Sequence, residues 1–388
     1  MKKKIVILGS TGSIGKTVLD VIKKDQKKFE ITLLTANSNI NKLLKQAKIF
    51  NVKNLIITNK TKYNYAKKKL IDKNVNIYND FKSINKILKN KKIYYTMNAI
   101  SGLIGLDPTL RIIKFTNKIA IANKESIICG WNLIKKKLDF YKTDFIPVDS
   151  EHFSIWSLIN KHNIGNIERV FITASGGPFN KLDLKKFKFI TRKKALTHPN
   201  WKMGRKITID SATMMNKVFE VIEAKNIFNL QYNKISILVH PKSYVHAIVK
   251  FHNGLTKILI HDTNMTIPIF NSLYFNSQKK IKSKGLNIDL LNNLDFQGIN
   301  FKKFPVTKII NTLPIKQSLF ETVIVTANDT LVDMFLKGKI NFLDISKILL
   351  KIIKNKDFVK YKKIKPKNIS QINQISDYVR FKIDSLSI

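Results

Sequence analysis

Two groups of oxygen-bearing side chains have a spacing that could do chemistry. Asp149 and Glu151 stand one residue apart after the apolar run Phe145–Val148. At the end of an extended strand, residues two apart point the same way, so two such carboxylates repel unless a cation sits between them. Asn216, Glu220 and Glu223 fall at i, i+4 and i+7 of an expected helix and share its face. Either Glu220 or Glu223 could complete a three-carboxylate site; spacing does not choose between them. An all-oxygen set suits Mg²⁺ or Mn²⁺ and disfavours zinc. Taken alone, each pair more often marks a solvated strand end or a surface helix stripe.

Anion-binding features surround these acids. Ser175-Gly176-Gly177-Pro178 has the composition of a backbone nest for an anion. The stretch "IDSATMMNK" places Ser211, Asn216 and Lys217 near an expected helix start, where a phosphate is stabilised. Trp201 and Met203, between His198 and Gly204, suit an apolar lid, or equally a core. His240, His246, His252 and His261 lie in an alternating strand-and-hairpin pattern that matches no metal-ligand spacing, and they read as structural.

A glycine-rich stretch, "ILGSTGSIGKT" from Ile7 to Thr17, imitates a nucleotide P-loop at its end. The P-loop spacing requires glycine at position 10, which is Ser10. Gly9, Gly12 and Gly15 recur every third residue instead, close to a dinucleotide fingerprint. Both loop types follow a strand and open a helix, and both seat phosphate on the helix N-terminus. The second expected strand ends in Thr35-Ala36-Asn37-Ser38-Asn39, without the acid that holds a ribose 2′-hydroxyl in NAD sites. That turn suits a 2′-phosphate, and it suits a plain polar turn equally.

The elements that must position these residues follow from the apolar pattern. Strands are expected at Ile5–Leu8, Ile31–Thr35, Leu55–Thr58, Ile93–Met97, Ile119–Ala122 and Phe145–Val148, alternating with amphipathic segments. The α/β fold expected is an N-terminal Rossmann-like, doubly wound parallel sheet, a central α+β catalytic domain and a C-terminal helical domain. The boundaries expected are 1–149 for cofactor binding, 150–275 for catalysis with a lid near 198–204, 276–311 as a connection, and 312–388 as helices. Helical periodicity is strongest around 318–337, 343–354 and 370–385.

The 388 residues carry a net charge of +44. Only Arg111, Arg169, Arg192, Arg205 and Arg380 are arginines, and the lysines are dispersed among many Ile and Asn. Composition drift explains this better than a nucleic-acid interface, and a diffuse positive field still attracts phosphorylated substrates. No apolar run reaches the ~18 residues of a membrane span, and the start is too short in apolar residues for a secretory signal. Cys129 is the single cysteine, which fits a reducing compartment. The expectation is a cytoplasmic protein with no nucleic-acid or membrane partner.

Together, "GSTGSIG" (9–15), "ANKES" (122–126), "PVDSEH" (147–152), "SGGPF" (175–179) and the 27-residue "HPNWKMGRKITIDSATMMNKVFEVIEA" (198–224) resemble the 1-deoxy-D-xylulose 5-phosphate reductoisomerases over nearly the whole chain. The resemblance implies conversion of 1-deoxy-D-xylulose 5-phosphate to 2-C-methyl-D-erythritol 4-phosphate, the committed step of non-mevalonate isoprenoid synthesis. NADPH and Mg²⁺ or Mn²⁺ are the implied cofactors, with Co²⁺ an alternative metal, and a homodimer is the implied assembly. It assigns the metal to Asp149, Glu151 and Glu220, choosing Glu220 over Glu223, and catalysis to Lys124, Asp149, Glu151, His198 and Glu220. It assigns substrate to Lys124, Ser150, Glu151, Ser175, His198, Ser211, Asn216, Lys217 and Glu220. The phosphate falls to Ser175, Ser211, Asn216 and Lys217. NADPH falls to Thr11, Gly12, Ser13, Ile14, Asn37, Ser38, Asn39, Asn123, Glu125 and Gly204, so the opening loop is expected to hold its pyrophosphate.

The chain departs from the family pattern at three places. Asn37-Ser38-Asn39 stands where Gly-Lys-Asn is frequent, removing a lysine suited to the 2′-phosphate; Lys42, a helical turn on, is a candidate replacement. Thr263–Pro268 lacks an acid and an arginine, and Asp329 replaces a glutamate; both read as drift in packing or in a subunit interface. The competing readings are a related NADP-dependent oxidoreductase acting on another phosphorylated polyol, and a P-loop nucleotide-binding protein.

Overall fold

The computed structural model describes residues 2–69, 74–159, 164–201, 203–275 and 277–385; Lys202 of the expected lid lies outside the described residues. The chain forms two compact units: residues 1–127, 132–149 and 265–281 make one, and residues 128–131, 150–264 and 282–388 the other.

The first unit is built on a seven-stranded sheet. Its strands are β1 (Lys3–Leu8), β2 (Phe29–Ala36), β3 (Asn54–Ile57), β4 (Asn76–Tyr78), β5 (Ile93–Asn98), β6 (Thr116–Ile121) and β7 (Asp144–Pro147). They run in the order β4-β3-β2-β1-β5-β6-β7, and every pairing is parallel. Parallel strands are covered by helices on both faces and therefore read as continuous apolar runs. Ile5, Val6, Ile7 and Leu8 of β1 are all fully buried. The expected α/β fold is present, and six of its strands occupy the expected places. The seventh, β4, is three residues of mixed character, too short to carry a pattern. Strand order reverses between β1 and β5, and ligands of such sheets bind at the carboxyl ends beside that switch. The helix Thr266–Leu273 returns to this unit, where Tyr95 and Ser272 hydroxyls meet at 2.8 Å and Tyr274 donates to Asp25 at 3.0 Å.

The second unit holds a four-stranded sheet, β8 (Ile167–Ala174), β9 (Ile235–Val239), β10 (Val245–Phe251) and β11 (Thr256–Ile260), in the order β11-β10-β8-β9. β8 and β9 are parallel, and β10 is antiparallel to β8 and β11. The helices Ser150–Ile159 and Met215–Phe228 bury Ile155, Val221 and Ala224 against Val170, Ile172 and Val249 of this sheet. The histidines of this hairpin region serve the fold. His246 meets the His261 carbonyl at 3.0 Å and His240 meets that of Asp295 at 2.8 Å. The C-terminal helices are Phe320–Lys337, Phe342–Ile352 and Ile369–Asp384; Asn341 and Asp344 form a capping box at the second. No helix among the described residues is long and apolar enough to cross a membrane.

Two local expectations are corrected. Ser150 and Glu151 are not on a strand end: β7 stops at Pro147, and both residues open the helix Ser150–Ile159. An acid in a first turn is favoured by the helix dipole, so Asp-Ser-Glu serves a helix start as well as a strand tail. Ser211 is not near a helix start. It lies in the last turn of the helix Arg205–Thr213, and Met214 at φ 67° separates that helix from Met215–Phe228. A left-handed methionine costs roughly 1–2 kcal/mol and persists only where its surroundings over-determine it; Met214 is 2 % exposed.

Candidate active site

In the first unit, the Gly9–Gly15 loop crosses the carboxyl end of β1. Gly9 has φ 79°, and a Cβ there would lie 2.8 Å from the Ala99 carbonyl oxygen. A Cβ on Gly15 would lie 2.6 Å from Ser10 Cα. The loop is tied down from β2 and from the helix Ile40–Phe50. Thr35 Oγ1 accepts from Gly9 N at 2.8 Å, Gln46 exchanges two hydrogen bonds with Ser10 at 2.8 and 3.0 Å, and Lys42 Nζ donates to the Thr11 carbonyl at 2.6 Å. Gly12 is the N-cap of the helix Ser13–Lys23, with no side-chain cap and no acid in the first turn. The first-turn N–H groups thus offer an anion a site with the positive end of the dipole behind them. Thr11, Gly12, Ser13 and Ile14 lie along this rim.

The turn after β2 is exposed at Asn37, Ser38 and Asn39. Asn37 accepts from Thr58 Oγ1 at 3.1 Å, and Asn39 caps the helix Ile40–Phe50 through Lys42 N at 3.2 Å. Asn123 is buried. It caps the helix Lys124–Tyr141 through Ser126 N at 2.6 Å, and its amide holds the carbonyls of Ile100 and of Gly102, the latter at 2.8 Å. Glu125 lies buried in the first turn of that helix. Lys124 and Asp149 form an ion pair at 2.6 Å. Gly204 belongs to the second unit, as the N-cap of the helix Arg205–Thr213.

In the second unit, Glu151 and Glu220 turn carboxylate oxygens to within 4.8 Å of each other. Lys217 Nζ pairs with both carboxylates, while Ser150 Oγ donates to Glu151 and Asn216 Nδ2 to Glu220. Glu220 is 1 % exposed. Burial opposes the Lys217 charge, but Glu151 and Glu220 outweigh it and hold the ammonium above its ordinary range. Asn216 Oδ1 is buried with no hydrogen-bond partner. The spacing left Glu220 and Glu223 equal; the structure makes Glu220 the acid that shares Lys217 with Glu151. His152, which the sequence reading passed over, fixes this helix by bonding the Glu220 carbonyl through Nε2 at 2.9 Å.

Beside the acids, Ser175, His198 and Ser211 converge. His198 Nε2 lies 3.2 Å from Ser175 Oγ and 3.1 Å from Ser211 Oγ. His198 Nδ1 accepts backbone N–H groups of Asn200 at 3.1 Å and Trp201 at 2.9 Å. Nδ1 is therefore unprotonated, and the proton of the neutral ring sits on Nε2. Burial, and then the charge of Lys217, push the ring down to about 4, so it is neutral at physiological pH. Gly176 and Gly177, at φ 80° and 64°, shape the loop after Ser175, and Gly177 N donates to Ser175 Oγ at 3.1 Å. Trp201 stands edge-on to His246 at 6.1 Å.

A clasp that sequence reasoning did not find secures the Ser211 helix. Asp210, 2 % exposed, accepts from the buried Asn328 at 2.7 Å, and Lys206 pairs with Asp210 at 3.2 Å and Asp329 at 2.8 Å. Asp329 thus has a definite partner within its own unit.

Known proteins resemble this chain over nearly its whole length. The family model for 1-deoxy-D-xylulose 5-phosphate reductoisomerase matches residues 5–130, and two models of its C-terminal domains match 145–228 and 261–382. The Pelagibacter ubique 1-deoxy-D-xylulose 5-phosphate reductoisomerase is 61 % identical over 387 residues, covering 100 % of both chains. The Phocaeicola vulgatus protein of the same name is 37 % identical, covering 90 % of this chain and 91 % of its own. The Zymomonas mobilis enzyme in complex with NADPH superposes with a TM-score of 0.88 at 32 % identity, covering 100 % of both chains. A reductoisomerase in complex with NADPH, fosmidomycin and magnesium superposes with a TM-score of 0.90 at 29 % identity, covering 99 % of this chain and 98 % of the other.

Proposed function

The chain belongs to the 1-deoxy-D-xylulose 5-phosphate reductoisomerase family, and from that premise we propose how its residues perform the reaction. It is an NADPH- and divalent-metal-dependent enzyme converting 1-deoxy-D-xylulose 5-phosphate to 2-C-methyl-D-erythritol 4-phosphate. The observation that carries the assignment of residues is the Lys217 ammonium shared by two carboxylates, the buried Glu220 and the partly buried Glu151. Such a pair requires a positive partner, and the all-oxygen donors, with the unpartnered Asn216 Oδ1, fit Mg²⁺ or Mn²⁺. Glu151, Glu220 and Asp149, two residues before Glu151 in the chain, hold the metal.

When bound, the metal supplies Lewis acidity to the ketone and adjacent hydroxyl oxygens, and NADPH supplies the hydride. Lys124, paired with Asp149, orients that carboxylate. Ser175, Ser211, Asn216 and Lys217 hold the substrate phosphate, together with the neutral Nε2–H of His198. Binding energy gathered there, away from the reacting carbons, positions them. Ser150 donates to the substrate oxygens. Trp201 and Met203 exclude water as a lid. The first-turn N–H groups at Gly12, Ser13 and Ile14, with Thr11, receive the NADPH pyrophosphate. Asn37, Ser38 and Asn39 take its ribose phosphate, and Asn123, Glu125 and Gly204 complete the cofactor contacts. In this reading residues 1–149 serve NADPH, 150–275 serve metal and substrate, 276–311 connect, and 312–388 brace the second unit. We assign the enzyme to the cytoplasm, in keeping with its one buried cysteine, and to a homodimer, which sedimentation would test.

The test is NADPH oxidation followed by absorbance with 1-deoxy-D-xylulose 5-phosphate. Substrate-dependent oxidation should vanish in EDTA and return with Mg²⁺ or Mn²⁺. Folded protein that binds NADPH but gives no metal-dependent oxidation refutes the assignment.

A further inference from the structure

His198 can serve the phosphate only if its ring is held, and the 198–201 turn must supply that hold. The side chain of Asn200 leaves this turn and spends both amide hydrogens on the turn between β9 and β10. It donates to the Pro241 carbonyl at 2.7 Å and to Ser243 Oγ at 2.8 Å. The receiving turn is itself rigid. Ser243 holds a left-handed φ of 51° and donates its N–H to the His240 carbonyl at 2.9 Å. His240 N donates to the Ala174 carbonyl at 2.6 Å, and its Nδ1 meets the Asp295 carbonyl at 2.8 Å. Ala174 ends β8, and Ser175 follows it directly. Both partners of the Ser175–His198 contact are therefore referenced to the same end of one sheet, Ser175 through its own chain and His198 through Asn200.

We infer that Asn200 is a positioning residue: its side-chain amide latches the 198–201 turn to the 241–243 turn and so fixes the Nε2–H of His198 between Ser175 and Ser211. The consequence for substrate rests on the reading of His198 as a phosphate ligand; the latch itself does not. With the latch in place, the Asn200 and Trp201 N–H groups are held against Nδ1, and the ring has one tautomer and one direction. Without it the turn keeps its donors but loses the frame that aims them, and the cradle meets the phosphate with a donor that must first be ordered.

The experiment labels the histidines of the full-length enzyme with ¹⁵N and reads ring tautomers from long-range proton–nitrogen spectra. The His198 signal is identified by its loss in His198→Asn. Wild-type protein should show a single Nε2–H form at pH 7. Asn200→Asp keeps the shape but removes both donors. Ser243→Ala removes only one acceptor and guards against a misfolded first variant. Both should give a mixture of tautomers at His198. KM for 1-deoxy-D-xylulose 5-phosphate should rise about tenfold in Asn200→Asp, the worth of ~1.4 kcal/mol of hydrogen bonding, while the NADPH Kd stays within about twofold. In a His198→Asn background, Asn200→Asp should add less than about twofold to KM. An unchanged His198 tautomer in both variants overturns the inference, as does a full Asn200 effect without His198. If His198→Asn leaves KM unchanged, the phosphate role of His198 fails, and the tautomer shift alone still decides whether Asn200 positions it.

Discussion

The glycine loop offers a pair of substitutions with opposite physical meaning. Gly15→Ala brings a methyl group to 2.6 Å from Ser10 Cα and 2.8 Å from Ser10 C, both backbone atoms. Neither can move alone, because Ser10 is fixed on both sides by Gln46. Overpacking of this kind costs ~1–3 kcal/mol, so Gly15→Ala should lower unfolding stability by that amount and weaken NADPH with it. Gly12→Ala differs. Gly12 has φ −72° and ψ 178°, open to any residue, and the nearest atoms to a new Cβ are the carbonyl oxygens of Gly9 at 3.6 Å and Ala99 at 4.0 Å. The protein has room for this methyl, and the freedom lost by the unfolded chain offsets the preference of an N-cap for glycine over alanine, so stability should change by less than about 1 kcal/mol. The space the methyl fills lies on the uncapped helix start, where the pyrophosphate binds in this account. A steric penalty of ~1–3 kcal/mol on the cofactor corresponds to roughly 5- to 150-fold in Kd. Urea unfolding and NADPH fluorescence titration measure the two quantities separately. Gly12→Ala protein that is stable and binds NADPH like the wild type would refute the loop as the pyrophosphate seat.

Two further substitutions test the supporting contacts. Lys42→Met removes the ammonium that rests on the Thr11 carbonyl; if it serves the 2′-phosphate, NADPH binding weakens about tenfold and NADH binding less than about twofold, as one charged hydrogen bond implies. Equal weakening of both nucleotides would reduce Lys42 to a brace for the loop. Asn328→Ala leaves the buried Asp210 without its side-chain amide donor, and chemical denaturation should show a loss of ~2 kcal/mol. Asp329→Ala should cost less, because Lys206 is one-third exposed and retains Asp210.

Some of this was legible from residue order and some could not be. β1 announces itself because a strand buried on both faces is continuously apolar, as Ile5–Leu8 is; β4, Asn-Ile-Tyr, has no pattern to read. The glycine spacing separated a dinucleotide loop from a P-loop because each close approach needs its own glycine, as Gly9 and Gly15 do. The acids were visible as a set, but their placement was not. Asp149-Ser150-Glu151 fits a strand tail or a helix start, and only the end of β7 at Pro147 decides. The break at Met214 was hidden because local preference disfavours a left-handed methionine, and tertiary packing overrides it. Asn200 and Asn328 find their partners across long stretches of chain, where periodicity carries no information.

In the proposed site, Glu220 and Glu151, with Asp149, hold the divalent cation. Titration of Mn²⁺ into wild-type enzyme and Glu220→Gln, read by electron paramagnetic resonance of the free ion, tests it without turnover. One site should appear in the wild type, and Glu220→Gln should weaken it by about tenfold or more while NADPH affinity is unchanged. Equal Mn²⁺ affinity in the two proteins would contradict this assignment, and the two carboxylates that share Lys217 would then serve only as its structural ion-pair partners.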